Sequence, residues 1–185
     1  MYVNRRNFLK FGAQAAMTCL CPAPAIALID RFLPPKRKLS FYNTHTKESL
    51  EVYYYIQGRY QPKALKNINY TLRDHRTDEI KSIDINLLNI LCSIRKKLDI
   101  SEPFHIISGY RSPETNEYLH KSNKGVAKNS YHMYGKAVDF RLPDISLPVL
   151  RRTAITLKAG GVGYYPCPNF IHIDVGPIRY WQYPG

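Results

Sequence analysis

The stretch FIHIDVG, residues 170–176, leaves a folding chain few choices. Ile171, Ile173 and Val175 alternate with Phe170, His172 and Asp174, and successive side chains of a strand point to opposite faces. The isoleucine–valine face belongs against a core. His172 and Asp174 then share the other face, about 7 Å apart along the strand. An imidazole and a carboxylate on one face of an apolar strand are costly unless they are paired, solvated or bound to a metal. The fold must supply a sheet with one packed face and a second surface that satisfies both groups.

A second stretch, SYHMYGKAVDF, residues 130–140, places His132 and Asp139 seven positions apart with Gly135 between them. KAVDF reads as a strand, with His132 in the loop before it and Gly135 turning the chain. An ordinary turn and strand would suffice to explain the pattern. Taken with His172, however, His132 and Asp139 provide two imidazoles and one carboxylate. That is the open three-ligand set with which catalytic zinc keeps a fourth position for water. The absence of clustered cysteines argues against a closed structural site, and there is no HExxH helix.

The rest of the chain supplies the scaffold. KLSFYNTHTKESLEVYYYI is two β-rich runs around a polar turn, a hairpin signal. QPKALKNINYTLRDH predicts a helix opening at Pro62 with Leu65, Ile68 and Leu72 on one side. Asp84 is positioned to cap a helix with a Leu87, Leu91, Ile94, Leu98 stripe and a basic last turn. PFHIISGY is a short strand, Ser112 and Pro113 open another helix, and Ser146 opens a further one that stops at Gly160-Gly161. VGYYP and FIHIDVG form a final hairpin around Pro-Cys-Pro-Asn. Helices precede most of the strands without a repeating βαβ pattern. This predicts an α+β fold whose small antiparallel sheet carries the site and packs against helices.

Residues 1–27 obey a different logic. Arg5 and Arg6 precede an apolar stretch and a small-x-small sequence at Ala25-Ile26-Ala27, the layout of a cleavable export signal. The paired arginines followed by Phe8, Leu9 and Lys10 resemble a twin-arginine signal. Residues 28–38 read as a basic, proline-containing linker, and residues 39–185 as the functional domain. Export implies a periplasmic protein without stable membrane insertion once the signal is removed. Cys92 and Cys167 then remain, most simply as two separate buried thiols. The formal charge of +13 favours an acidic partner. No arginine-rich arm or nucleic-acid-binding signature accompanies it, so nucleic acid is not expected. His45, His75, His105 and His120 have no comparable partners in the sequence.

Together, SYHMYGKAVDF and GGVGYYPCPNFIHIDVG resemble the zinc peptidases that cut D-amino-acid bonds in bacterial peptidoglycan, the D-Ala-D-Ala dipeptidase and lysostaphin-like group. Ser130, His132, Gly135, Ala137 and Asp139 match its SxHxxGxAxD pattern, and SGYRS, residues 108–112, resembles its upstream arginine segment. With NTHTKES, LRDHRTDEIKSID, SGYRSPETN and GVAKNSYH, the likeness covers nearly all the chain after the signal and best fits the exported murein endopeptidase K subgroup. It implies one Zn2+ on His132, Asp139 and His172, and hydrolysis of peptidoglycan cross-links. The alternatives are a carboxypeptidase or dipeptidase, or a non-catalytic peptidoglycan-binding module. The dipeptidase branch carries a glutamate base three residues before the strand histidine, where this chain has Asn169. Asp174 is therefore the candidate base. Arg111 is expected to bind substrate and stabilise the oxyanion, and Ser130 to contact substrate or orient the His132 loop.

Overall fold

The structure is a computed structural model that describes residues 33–122 and 125–183. Residues 1–27, read above as an export signal, lie outside the described part. Eight strands form one sheet: β1 (Lys36–Asn43), β2 (Ser49–Ile56), β3 (Arg59–Tyr60), β4 (Phe104–Ser108), β5 (Ala137–Arg141), β6 (Gly161–Tyr165), β7 (Phe170–Asp174) and β8 (Arg179–Gln182). The helices are α1 (Pro62–Thr71), α2 (Ile85–Leu98), α3 (Pro113–Ser122) and α4 (Leu147–Thr156), with a 3-10 helix at Tyr131–Tyr134.

The α+β class is as the sequence predicts, but the sheet is larger than expected and mixed. Its order is β3-β2-β1-β4-β5-β7-β6-β8. Five pairings are antiparallel, whereas β1 with β4 and β6 with β8 run parallel. The first parallel pair follows from the long crossover through α1 and α2 that separates β1 from β4. The second arises because the short β8, outside the predicted elements, adds beyond the β6–β7 hairpin.

Local chemistry explains the element ends. Pro62 opens α1, and the Asp84 side chain accepts the Asn86 N–H at 2.8 Å to cap α2. The α2 C-cap, Asp99, is left-handed, and Arg95, Lys96 and Lys97 face the negative end of the helix. Ser112 Oγ accepts the Thr115 N–H at 3.1 Å at the start of α3. Helices α1, α2 and α4 pack against one face of the sheet. There Phe41, Phe104, Ile106, Phe140, Ile171 and Ile173 meet Ile68, Leu87, Leu91, Ile94 and Leu150 in a continuous buried core.

The last three residues of the stretch read as a linker, 36–38, lie in strand β1. Strand β1 begins at Lys36, which pairs with Ile56 of β2, and Arg37 within it is buried, its guanidinium donating to Asn89 Oδ1 at 3.0 Å and lying 4.0 Å over the Tyr55 ring. A basic run that reads as a linker is thus fastened to the core at Arg37. Cys92 is buried as expected, but Cys167 is exposed at the β6–β7 turn, and both are free thiols.

Candidate metal centre

The face opposite the helices carries the polar residues of β5 and β7. Ser108 pairs laterally with Asp139, Asp139 with His172, His172 with Gly163 and Gly163 with Trp181. One row of the sheet therefore aligns residues from five strands. Gly163 is needed there because a Cβ would stand 2.6 Å from the Trp181 ring. Its absence lets that ring lie across the sheet, with its centroid 5.3 Å from that of His172.

His132 reaches this row from the 3-10 helix. The Ser130 side chain accepts the His132 N–H, and Gly135 ends the turn in a left-handed conformation, φ 64°. A Cβ at Gly135 would also meet the Ser82 carbonyl at 2.3 Å, so two independent constraints demand glycine here. The spacing from His132 to Asp139 is the length of one 3-10 turn and the entry to β5.

Outer hydrogen bonds set the tautomers. His132 Nδ1 lies 2.6 Å from the Gly109 carbonyl, so it carries the hydrogen and Nε2 presents its lone pair. His172 Nε2 lies 2.9 Å from Asp174 Oδ2, so it carries the hydrogen and Nδ1 presents its lone pair. Asp139 gives Oδ2 to the Arg111 guanidinium and leaves Oδ1 for the centre. Three lone pairs then face one another: His132 Nε2 stands 3.2 Å from both His172 Nδ1 and Asp139 Oδ1, and these last two are 2.8 Å apart. With both rings neutral there is no hydrogen among them to share, and the arrangement is one that a bound cation would satisfy.

The electrostatics agree. Burial, followed by the charge of Arg111, pushes His132 down to about 4, keeping it a neutral ligand at neutral pH. Burial would raise Asp139, but His132 and Arg111 outweigh it and hold the carboxyl well below its ordinary range. Burial also works against charge on His172, yet its hydrogen bonds to Asp139 and Asp174 hold its pKa above the ordinary value. In the metal-free protein these acceptors favour the charged form of the His172 ring. Bonds of about 2.0–2.1 Å give a tetrahedron with edges of about 3.3–3.4 Å; two of the three spacings, at 3.2 Å, are close to that, and the His172–Asp139 spacing of 2.8 Å is shorter. Two neutral imidazoles and one carboxylate oxygen, all buried, fit a divalent metal ion.

Asp174 stands on the other side of the His172 ring. Its Oδ1 accepts from Gly161 N, Gly176 N and Arg179 Nη1 at 3.3, 2.8 and 3.0 Å, and its Oδ2 from His172 Nε2 and Arg179 Nη2 at 2.9 and 2.7 Å. Burial would raise it, but the hydrogen bonds from His172 and Arg179 bring it down to about 2. No oxygen of this carboxylate faces the three lone pairs, which does not match the base role expected of it. Asn169 occupies the β6–β7 turn with φ 55°, a conformation asparagine tolerates better than most residues. Its local role is that of a turn residue.

A cleft of about 730 Å³ opens over the cluster. Arg111, Ser130, His132, Asp139 and His172 all line it; Asp174 does not. Sequence reasoning missed other lining residues. Arg179 and Trp181 follow the last analysed motif, where their period-two spacing on a terminal strand was the available signal. His45 and His75, which lacked partners along the chain, stack in space with ring centroids 3.8 Å apart, in a pairing no local pattern announces.

The family model described as Peptidoglycan L,D-endopeptidase MepK matches residues 33–181. The chain belongs to this family. It is 42% identical over 178 residues to Peptidoglycan L,D-endopeptidase MepK of Escherichia coli strain K12, covering 96% of this chain and 97% of that protein. The protein of the same name from Shigella flexneri matches equally, at 42% with the same coverage. The Probable peptidoglycan L,D-endopeptidase MepK of Haemophilus influenzae strain Rd is 38% identical over 180 residues, 97% of this chain and 96% of that protein. The family is one of metallopeptidases, in keeping with the donor set. No helix among the described residues is long and apolar enough to cross a membrane.

Proposed function

We propose that this chain is an exported, zinc-dependent endopeptidase that hydrolyses peptide cross-links of peptidoglycan during wall growth or remodelling. The observation that carries this reading is the trio of lone pairs from His132, Asp139 and His172 on the floor of the cleft. The cleft is flanked toward β1 by His45 and His75 and toward β8 by Tyr165 and Trp181, so a chain has room on both sides of the centre. A carboxypeptidase would instead close one side around a terminal carboxylate. The formal charge of +13 suits a wall polymer with free carboxylates.

In this reading His132, Asp139 and His172 hold the ion. When bound, zinc supplies a Lewis acid and activates water near neutral pH. The protein's own groups prepare the centre. Arg111 fixes the Asp139 carboxylate, is itself braced by Nε donating to Ser108 Oγ at 2.8 Å, and keeps a positive charge beside the reacting carbonyl. Ser130 sets the His132 loop. Asp174 holds the proton on His172 Nε2 and so keeps the Nδ1 lone pair aimed inward. We assign Asp174 as a positioning residue rather than the base.

The test is incubation of purified protein with isolated sacculi, with and without chelator, followed by muropeptide analysis. New muropeptides from cut cross-links, lost on chelation and in His172→Ala, are expected. Binding to sacculi with no new muropeptides would reject the enzyme in favour of a wall-binding module.

A further inference from the structure

Two turns at the β1 side of the cleft are built more rigidly than exposed loops require. Asn43, buried, accepts the His45 N–H at 3.0 Å and the Thr46 N–H at 3.2 Å, while its amide donates to the Thr71 carbonyl at 3.0 Å. Asp74, also buried, accepts the Arg76 N–H at 2.9 Å and the Ser112 N–H at 2.8 Å. Buried polar side chains thus fix the turns that present His45, His75 and Arg76 to the cleft. The two imidazoles lie parallel, 3° apart in plane, and His45 Nε2 donates to the Ile107 carbonyl at 3.1 Å.

The polar capacity of His75 and Arg76 is unspent. Among the described residues, the His75 ring has no hydrogen-bond partner and the exposed Arg76 guanidinium pairs with no carboxylate. Burial, then the nearness of His45 and Arg76, holds His75 down to about 4. At neutral pH the rings are therefore uncharged and offer a flat face and an N–H edge, with positive charge supplied by Arg76. These are complementary to a planar peptide group that carries a carboxylate beside it.

We propose that His45, His75 and Arg76 form a subsite that recognises a free carboxylate on the peptide stem to one side of the cut bond. Arg76 takes the carboxylate, His75 donates its ring N–H, and His45 backs the His75 ring. This rests on the endopeptidase reading for its substrate, but not for its contacts. Losing one charge-assisted hydrogen-bonded contact should weaken recognition by about 10- to 100-fold.

The test compares a synthetic cross-linked stem peptide bearing free carboxylates with its counterpart in which these are carboxamides, using the zinc-loaded full chain. Wild type should favour the free acid by about 10- to 100-fold in kcat/KM, through KM. Arg76→Gln should bring the free acid down to the level of the amide and leave the amide unchanged. His75→Phe, which keeps a stacked ring without the N–H, should lose part of the preference. Equal cleavage of both peptides by wild type, or an equal loss on both in Arg76→Gln, overturns the proposal. Binding of the uncut peptides to chelator-treated protein separates the two readings. A preference that persists in binding without cleavage sinks the enzyme and keeps the subsite; cleavage with equal affinities does the reverse.

Discussion

Replacing Asp174 by asparagine should damage metal binding more than turnover. In the wild type, five N–H groups converge on two carboxylate oxygens, and the side chain is fully buried. An asparagine must put its NH2 in one of those places, and every place already faces donors. If the NH2 takes the Oδ2 position, His172 can satisfy it only by moving its hydrogen to Nδ1. That hydrogen would enter the triangle where the ion belongs. If the NH2 takes the Oδ1 position, it opposes the Gly161 and Gly176 amides, and Arg179 loses its ionic partner in either case. Outer partners of this kind are worth about 10- to 100-fold in metal affinity, or about 1.4–2.7 kcal/mol. Zinc affinity measured by competition with a chromophoric chelator should fall by that factor. With zinc in saturating excess, muropeptide cleavage should return to within about tenfold of wild type. A true general base would behave oppositely, its loss costing about 10²–10⁴ in kcat. Unchanged zinc affinity with collapsed turnover at saturating zinc would refute the positioning role and restore Asp174 as the proton acceptor.

Other outcomes follow from the same geometry. Arg111→Ala breaks a buried ion pair with Asp139 and should cost about 3 kcal/mol in the metal-free protein, visible as a melting temperature lower by several degrees; an unchanged melt would show that the pair is not structural. Arg111→Lys should recover part of that stability but not the activity, because one ammonium cannot reach Asp139 and Ser108 in the same geometry. Gly135→Ala should destabilise by at least about 2 kcal/mol, from the left-handed backbone and the Ser82 contact together, as read by urea unfolding. His75 should titrate by NMR near 4, far below a free histidine, and a midpoint near 6.5 would contradict its environment. Since the unfolded chain binds this proton first on acidification, His75 makes stability fall as pH drops from about 6.5 toward 4. Cys167 should react with a maleimide in the native state while Cys92 reacts only on unfolding, as peptide mass mapping would reveal.

What could be read from the chain depended on whether the relevant contacts were periodic. The strand FIHIDVG announced its own two faces, and the structure keeps Ile171 and Ile173 in the core and His172 on the polar side. Capping chemistry at Asp84 and Ser112 was equally local and is present as read. The role of Asp174 was not local. Its distance from His172 along the strand was right, but the commitment of its oxygens to Arg179 depends on a strand that joins the far side of the β6–β7 hairpin. The His45–His75 stack likewise joins the β1–β2 turn to the loop after α1, two segments that sequence alone leaves unrelated. Parallel pairing escaped for a similar reason: a hairpin declares its partner, whereas β1 meets β4 only after two helices have intervened.

The lateral pairing of Asp139 with His172 makes ion binding a check on sheet assembly. His172 is 33 positions from Asp139 and 40 from His132, so the unfolded chain has no compact nucleus for a metal. A slip of β7 by one residue would turn His172 into the core and bring Ile171 or Ile173 to the ion's place. Only the correctly aligned sheet can bind tightly, and every increment of binding free energy then favours that alignment over its neighbours. The ion would therefore do more than chemistry: it would discriminate, after folding, between the native strand register and its nearest errors.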